Sequence, residues 1–161
     1  MKNSQENLPL PTFNVTLVTP NDENPIITPL SQHLQNQGLI LYFYPKDNTA
    51  GCTTQAKEFS ERLDEFTKLG FVVIGVSRDS VKSHQNFMLK QDLNLALISD
   101  TDETLCGYFD VIKPKQLYGK TYLGVVRSTF VFDKTGKMTA SFRNVKAKGH
   151  VAALLDLLKD G

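Results

Sequence analysis

The sequence predicts an α/β fold: a mixed central sheet flanked by helices, with an added N-terminal β-hairpin. Three patterns carry that expectation. Residues 39–44 and 71–76 are short apolar runs, preceded by Gly38 and Gly70 and suited to strands covered on both faces. Between them Ala56, Phe59, Leu63, Phe66 and Leu69 recur every three or four residues, the period of an amphipathic helix. Residues 128–132 and 138–142 read as two more strands, joined by the hairpin turn Asp133-Lys134-Thr135-Gly136.

Taken in order, residues 1–11 are a loose polar start containing Pro9 and Pro11. Residues 13–18 and 26–27 flank a Pro-, Asn- and Asp-rich turn and make the added hairpin. The strand at 39–44 ends at Pro45, and a helix runs from Thr53, just after Cys52, to a stop at Gly70. A polar turn at 77–80 follows the strand at 71–76. The next helix extends to about Gln91, with Val81, His84, Phe87 and Met88 on one side. A strand at 95–98, a short helix at 102–109 and a basic loop at 113–124 precede the C-terminal hairpin. Val151, Leu154, Leu155 and Leu158 line a closing helix. The β-α-β crossovers place helices over parallel strands while the hairpin adds antiparallel ones, so a thioredoxin-like arrangement fits best, as a single domain spanning 1–161. In such open sheets functional groups gather at the carboxyl ends of strands, where residues 45–52 fall.

At 161 residues the chain is long enough to bury a core without disulfide or metal staples. Its 18 Lys and Arg against 17 Asp and Glu leave a net charge of +1, too little to attract nucleic acid or an anionic membrane surface. No run reaches transmembrane length and the start lacks the form of a signal peptide, so a soluble cytoplasmic protein is expected, as a monomer or weak homodimer. Two cysteines, Cys52 and Cys106, suggest neither a secreted disulfide framework nor a Cys-x-x-Cys site. Cysteine chemistry here must use single thiols.

Cys52 is where such chemistry is expected. A free thiol, of pKa about 8.5, is mostly protonated at neutral pH, and only its thiolate is a strong nucleophile. At the start of a helix, the unpaired first-turn N–H groups and the dipole favour the anion. Thr49, three residues upstream, offers a hydroxyl to the sulfur or to a peroxide proton. Arg127, at the entrance to the strand at 128–132, is the candidate cation to reach across the sheet end.

The run Pro45-Lys46-Asp47-Asn48-Thr49-Ala50-Gly51-Cys52 has the form P-x-x-x-T-x-x-C. With Cys52-Thr53-Thr54-Gln55 and Arg127-Ser128-Thr129-Phe130 it resembles the peroxiredoxins, in their peroxiredoxin Q or bacterioferritin comigratory protein branch. The likeness runs from about residue 10 to residue 158 and takes in Gly75-Val76-Ser77, Ser99-Asp100 and Tyr118-Gly119-Lys120. It implies an antioxidant thiol peroxidase that reduces hydrogen peroxide and organic hydroperoxides without a cofactor. Cys52 is then the peroxidatic cysteine, Thr49 and Arg127 orient and polarise the peroxide, and Pro45 shields the sulfur. Attack on the O–O bond leaves a sulfenic acid, returned by thioredoxin, glutaredoxin or a small thiol. Members of this branch carry a resolving cysteine five residues later or in the next helix, positions held here by Lys57 and Met88. Cys106 remains as an internal resolver, if local unwinding brings the two Cα atoms within about 7 Å. Otherwise an external thiol resolves Cys52 directly.

Taken singly, these residues have plainer readings. A lone cysteine is usually a small buried hydrophobe, and Cys106, among Leu105, Tyr108 and Phe109, fits that description. Thr49 alone is a loop residue, Pro45 a strand terminator and Arg127 a surface ion-pair partner. His33, His84 and His150 are far apart in sequence, which points away from a metal. Asp100-Thr101-Asp102-Glu103 reads as helix capping, and Lys113, Lys115 and Lys120 as a solvated basic loop. The competing functions are a redox sensor or interaction module read out through oxidised Cys52, and a disulfide oxidoreductase, which the missing second active-site cysteine argues against.

Overall fold

A computed structural model describes residues 3–160. Its strands in chain order are β1 (Asn14–Val18), β2 (Ile26–Pro29), β3 (Gly38–Phe43), β4 (Phe71–Ser77), β5 (Ala96–Ser99), β6 (Ile112–Leu117), β7 (Lys120–Val125), β8 (Ser128–Phe132) and β9 (Met138–Phe142). The α-helices are α1 (Ala50–Glu61), α2 (Leu63–Lys68), α3 (Val81–Gln91), α4 (Thr104–Tyr108) and α5 (His150–Asp160), and a 3-10 turn spans Leu30–His33.

Seven strands form one mixed sheet of order β2-β1-β5-β4-β3-β8-β9. Strands β3, β4 and β5 are parallel, as their helical crossovers require, whereas β8 pairs antiparallel with β3 and the N-terminal hairpin joins through β1 and β5. This is the mixed, helix-flanked sheet expected, with the added hairpin in place.

The central strand β3 is apolar on both faces because both are covered. Ile40, Tyr42 and Tyr44 pack with Cys52, Ala56 and Phe59 of α1, Phe87 of α3 and Leu154 of α5. Leu39, Leu41 and Phe43 point the other way, into a second cluster with Leu105, Cys106 and Phe109. Fully burying each such Leu or Phe contributes about 1.5–3 kcal/mol, so the two layers supply the main driving force for closing the sheet.

Three segments differ from the sequence reading. The helix expected from Thr53 to Gly70 begins at Ala50 and breaks at Arg62 into α1 and α2. Arg62 has φ −108° and ψ 15°, outside helical geometry, and its guanidinium bonds Glu65 within the next turn. The break still lets the Phe66 ring pack against Phe59, tilted, with centroids 5.5 Å apart. The segment 113–124, expected as a loop, is the β6–β7 hairpin, whose turn residues Tyr118 and Gly119 both have positive φ. Pro114 and three lysines hide its alternation. In the expected loose start, residues 1–2 lie outside the described residues; the rest has no regular structure but is tied down. Ser4 N–H donates to the Ser141 carbonyl at 2.7 Å, and Glu6 pairs with Arg143, which also lies over the Phe130 ring.

Gly75 of β4 sits beneath the Tyr42 ring. A methyl group there would lie 2.7 Å from Tyr42 Cζ and 2.8 Å from Leu97 Cδ2, closer than packed atoms tolerate. Gly75→Ala is therefore expected to lower stability by about 1–3 kcal/mol in urea unfolding. An unchanged midpoint would mean that Tyr42 is free to move aside.

Candidate active site

The site forms where the parallel strands end. Strand β3 delivers Tyr44 and Pro45, the chain turns through Lys46 to Thr49, and α1 starts at Ala50. Thr53 N–H closes the first helical bond, onto the Thr49 carbonyl at 2.9 Å. The N–H groups of residues 50–52 precede that bond and form the positive end of α1. Cys52 thus lies in the first turn of the helix rather than just before it, its side chain only 1% exposed and its thiol free.

Arg127 comes from the opposite direction in sequence. Ser128 pairs with Phe43 across the β3–β8 ladder, so the preceding residue emerges beside Tyr44 at the same end of the sheet. Its Nη2 lies 3.4 Å from Cys52 Sγ. Its Nη1 donates at 2.5 Å to Oε1 of Gln55, about one helical turn beyond Cys52, which holds the guanidinium against the sulfur. Gly51 leaves the guanidinium room to approach, since a Cβ at that position would lie 3.2 Å from Nη2. A carboxylate beside Arg127 would share its charge, whereas the neutral Gln55 leaves the charge directed at the sulfur.

Thr49 is exposed, and its hydroxyl donates to the Lys46 carbonyl at 2.8 Å. With its proton spent there, the oxygen is left to accept a hydrogen bond. Pro45 is half-buried where β3 runs into the loop. Tyr42, fully buried beside Cys52, has a hydroxyl without a partner among the described residues, and burial pushes its phenol far above the ordinary range. Lys115 of β6 donates to the Val125 carbonyl at 2.5 Å, and burial, with the Arg127 charge nearby, lowers its ammonium below the ordinary lysine value.

Cys106 lies elsewhere. It is fully buried in the cluster on the other face of the sheet, its N–H donating to Asp100 Oδ2 at 2.8 Å. Burial, with the Asp100 carboxylate beside it, pushes its thiol well up, away from the reactive form. Asp100 also accepts from Leu105 N–H at 3.0 Å, so its carboxylate caps α4 as the sequence suggested. Lys57 is exposed on α1, and Met88 is buried on α3.

Sequence reasoning missed three groups. Gln55 lies three residues beyond Cys52 and hence on the same helical face, a spacing that could have revealed it. Asp47 and His84 meet in a buried network 37 residues apart, with no local signal.

A shielded cysteine at a helix start, with a guanidinium against its sulfur at the carboxyl end of a thioredoxin-like sheet, defines a thiol-based redox enzyme. Comparison with known proteins narrows this. Residues 8–141 match the AhpC/TSA family. Peroxiredoxin Bcp of Xanthomonas campestris is 47% identical over 152 residues, covering 94% of this chain and 92% of its own. Solved peroxiredoxin Q of Xanthomonas campestris superposes with a TM-score of 0.83 at 46% identity, covering 98% of this chain and 97% of that one. A structure of the Xanthomonas campestris bacterioferritin comigratory protein, titled for insights into its alkyl peroxide reduction activity, also gives 0.83, at 45% identity and 99% and 98% coverage. The chain belongs to the AhpC/TSA family, within it to the peroxiredoxins of the Bcp or Q type, and is a thiol-dependent peroxidase.

Two outcomes follow from this geometry. Arg127→Met, which keeps length but removes charge and donors, should lower the second-order rate constant for peroxide about 10²–10³-fold in stopped-flow assays; Arg127→Lys should restore only part of it. A rate within threefold of wild type, about RT in free energy, would contradict the arrangement.

His150, at the start of α5, meets the Phe59 ring edge-on and pairs with Thr129 Oγ1 at 2.8 Å. Burial, aided by the Arg127 charge, pushes its imidazole down to about 4, so the folded ring is neutral. Between pH 6.5 and about 4 the unfolded chain takes up a proton that the folded one refuses, and stability falls as pH falls, by roughly 3 kcal/mol at most. His150→Leu should remove that slope, so its stability gap from wild type narrows between pH 7 and pH 4.5 in urea titrations. A constant gap would show that the ring is protonated when folded.

Proposed function

We propose that Cys52 is the peroxidatic thiolate, and that the hydroperoxide binds between the Thr49 hydroxyl, the Arg127 guanidinium and the first-turn N–H groups of α1. The single observation that carries this reading is the 3.4 Å contact between Arg127 Nη2 and Cys52 Sγ. Thr49, its own proton committed to Lys46, accepts from the hydroperoxide O–H and so orients the molecule. The sulfur attacks the terminal oxygen in line. The O–O bond breaks, an S–O bond forms, and the leaving oxygen carries the electron pair away as water or alcohol once protonated. Arg127 stabilises charge on sulfur before the attack and on the departing oxygen during it. Pro45, at the loop's base, limits access of bulk water.

Hydrogen peroxide and organic hydroperoxides are the proposed substrates; alkyl peroxide reduction in the related Xanthomonas protein supports the second class. The sulfenic acid is resolved by an external thiol. Cys106 packs in the core beyond the central sheet, Lys57 and Met88 carry no thiol, and the first cysteine has no internal partner that the sheet leaves within disulfide reach. The incoming thiol forms a mixed disulfide with Cys52 and releases water, and a second thiol from thioredoxin, glutaredoxin or a small thiol frees the enzyme. Such recycling belongs in a reducing compartment, consistent with a cytoplasmic enzyme. All the proposed groups come from one chain, so a monomer or weak homodimer suffices.

Peroxide loss should vanish in Cys52→Ser and persist in Cys106→Ser. After one equivalent of peroxide, intact mass should show a gain of one oxygen, then a mixed disulfide on adding a small thiol, in both wild type and Cys106→Ser. An intramolecular disulfide that disappears in Cys106→Ser would overturn external resolution, and stoichiometric oxidation without turnover would turn the reading toward a sensor.

A further inference from the structure

His84 of α3 is completely buried, and both of its ring nitrogens face acceptors. Nε2 lies 2.9 Å from the Ile98 carbonyl oxygen, and Nδ1 lies 2.7 Å from Asp47 Oδ2. A backbone carbonyl has no proton to give, so Nε2 must carry one. A neutral ring of that tautomer would aim the Nδ1 lone pair at a carboxylate, a repulsive contact in a site closed to water. A second proton therefore lies on the Nδ1 side. Asp47 is otherwise supplied with donors, since Oδ1 accepts from Tyr44 Oη at 2.6 Å and Oδ2 from Ser83 Oγ at 2.8 Å.

We propose that His84 is held as an imidazolium paired with the Asp47 carboxylate, and that this buried clamp is a positioning device for the peroxide-binding loop. The link to the chemistry is short and covalent. Asp47 sits between Pro45 and Thr49, and its N–H donates to Asp79 Oδ2 at 2.9 Å. The neighbouring Lys46 carbonyl receives the Thr49 hydroxyl proton. Fixing Asp47 from α3, β3 and the β4–α3 turn therefore fixes the carbonyl that aims Thr49, and with it the start of α1. The loop has no sheet or helix bonds of its own, so its rigidity must come from such side-chain anchors. The groups facing His84 are Asp47, Asp79, Tyr44, Ser83 and the Ile98 carbonyl.

Asp47, Asp79 and His84 have ligand atoms within 4.8 Å of one another, a spacing that would also suit a metal ion. Their donors and acceptors are matched internally instead. Asp79 Oδ2 receives Asp47 N–H and the Ser77 hydroxyl at 2.6 Å, and the His84 nitrogens are both engaged.

The positioning claim rests on the peroxidase reading above, whereas the protonation claim does not, and the experiment separates them. Long-range proton–nitrogen NMR of uniformly labelled protein at pH 7.5, above the ordinary histidine value of about 6.5, should show both His84 ring nitrogens at protonated shifts. In Asp47→Asn the amide can donate to Nδ1, and that nitrogen alone should move to the unprotonated shift. A single protonated nitrogen in wild type, or displacement of the Nδ1 proton by one equivalent of zinc, overturns the clamp. Stopped-flow peroxide reduction should fall about 10–100-fold in His84→Gln and His84→Phe while Cys52 stays alkylatable in folded protein. Adding Asp47→Asn to either variant should cost little more, because the two residues act as one unit. Unchanged rates in the folded His84→Gln variant would overturn the positioning role even with both protons present. Peroxide loss surviving Cys52→Ser would instead fail the underlying reading and leave the NMR result standing.

Discussion

The chemistry proposed for this molecule depends on a guanidinium reaching a sulfur 75 residues away in sequence. The contact is made by register. Because Ser128 lies opposite Phe43 in the β3–β8 ladder, Arg127 emerges level with the end of β3, where the chain leaves the sheet for α1. A one-residue slip would send the arginine to the other face, into the cluster that holds Cys106. Since β3 is apolar on both faces, side-chain fit rather than polarity opposes the slip: Ile40 and Tyr42 pack with α1, and Leu39, Leu41 and Phe43 with the layer opposite. Core packing and site electrostatics are thus the same constraint seen at different distances.

The sheet also gives the two cysteines different surroundings. Cys52 stands at a helix start beside a cation, near solvent yet shielded; Cys106 stands in an apolar layer beside the Asp100 carboxylate. At the second, burial and that carboxylate oppose the anion. The one sheet stands between the two thiols. Around the reactive thiol the support is layered. Gln55 holds Arg127 without diluting its charge, and the Asp47 network holds the loop that presents Thr49.

How much was legible in the sequence follows the range of each interaction. The strands at 128–132 and 138–142 were readable to the residue because a turn and two apolar runs are local signals. That Thr49 and Pro45 precede Cys52 at the end of β3 was legible from their spacing, and the approach of Arg127 to that sulfur was expected from its place at the entrance to the strand at 128–132. The break at Arg62 was hidden, since the apolar period of α1 continues through α2 with little change. The β6–β7 hairpin was hidden because it is largely exposed, so its alternation is not written in apolar residues. The Asp47–His84 pair could not be seen at all: its partners meet only when α3 packs over the end of β3, and neither residue type is unusual in its own segment.

The central claim is electrostatic, and ultraviolet difference spectroscopy tests it most directly. Subtracting the spectrum of Cys52→Ser isolates the absorption of this one sulfur at neutral pH. The account predicts a thiolate band in the wild-type chain that is strongly reduced in Arg127→Met at the same pH. An equal band in both proteins would show that the guanidinium does not hold the sulfur ionised, and would contradict the account at its base.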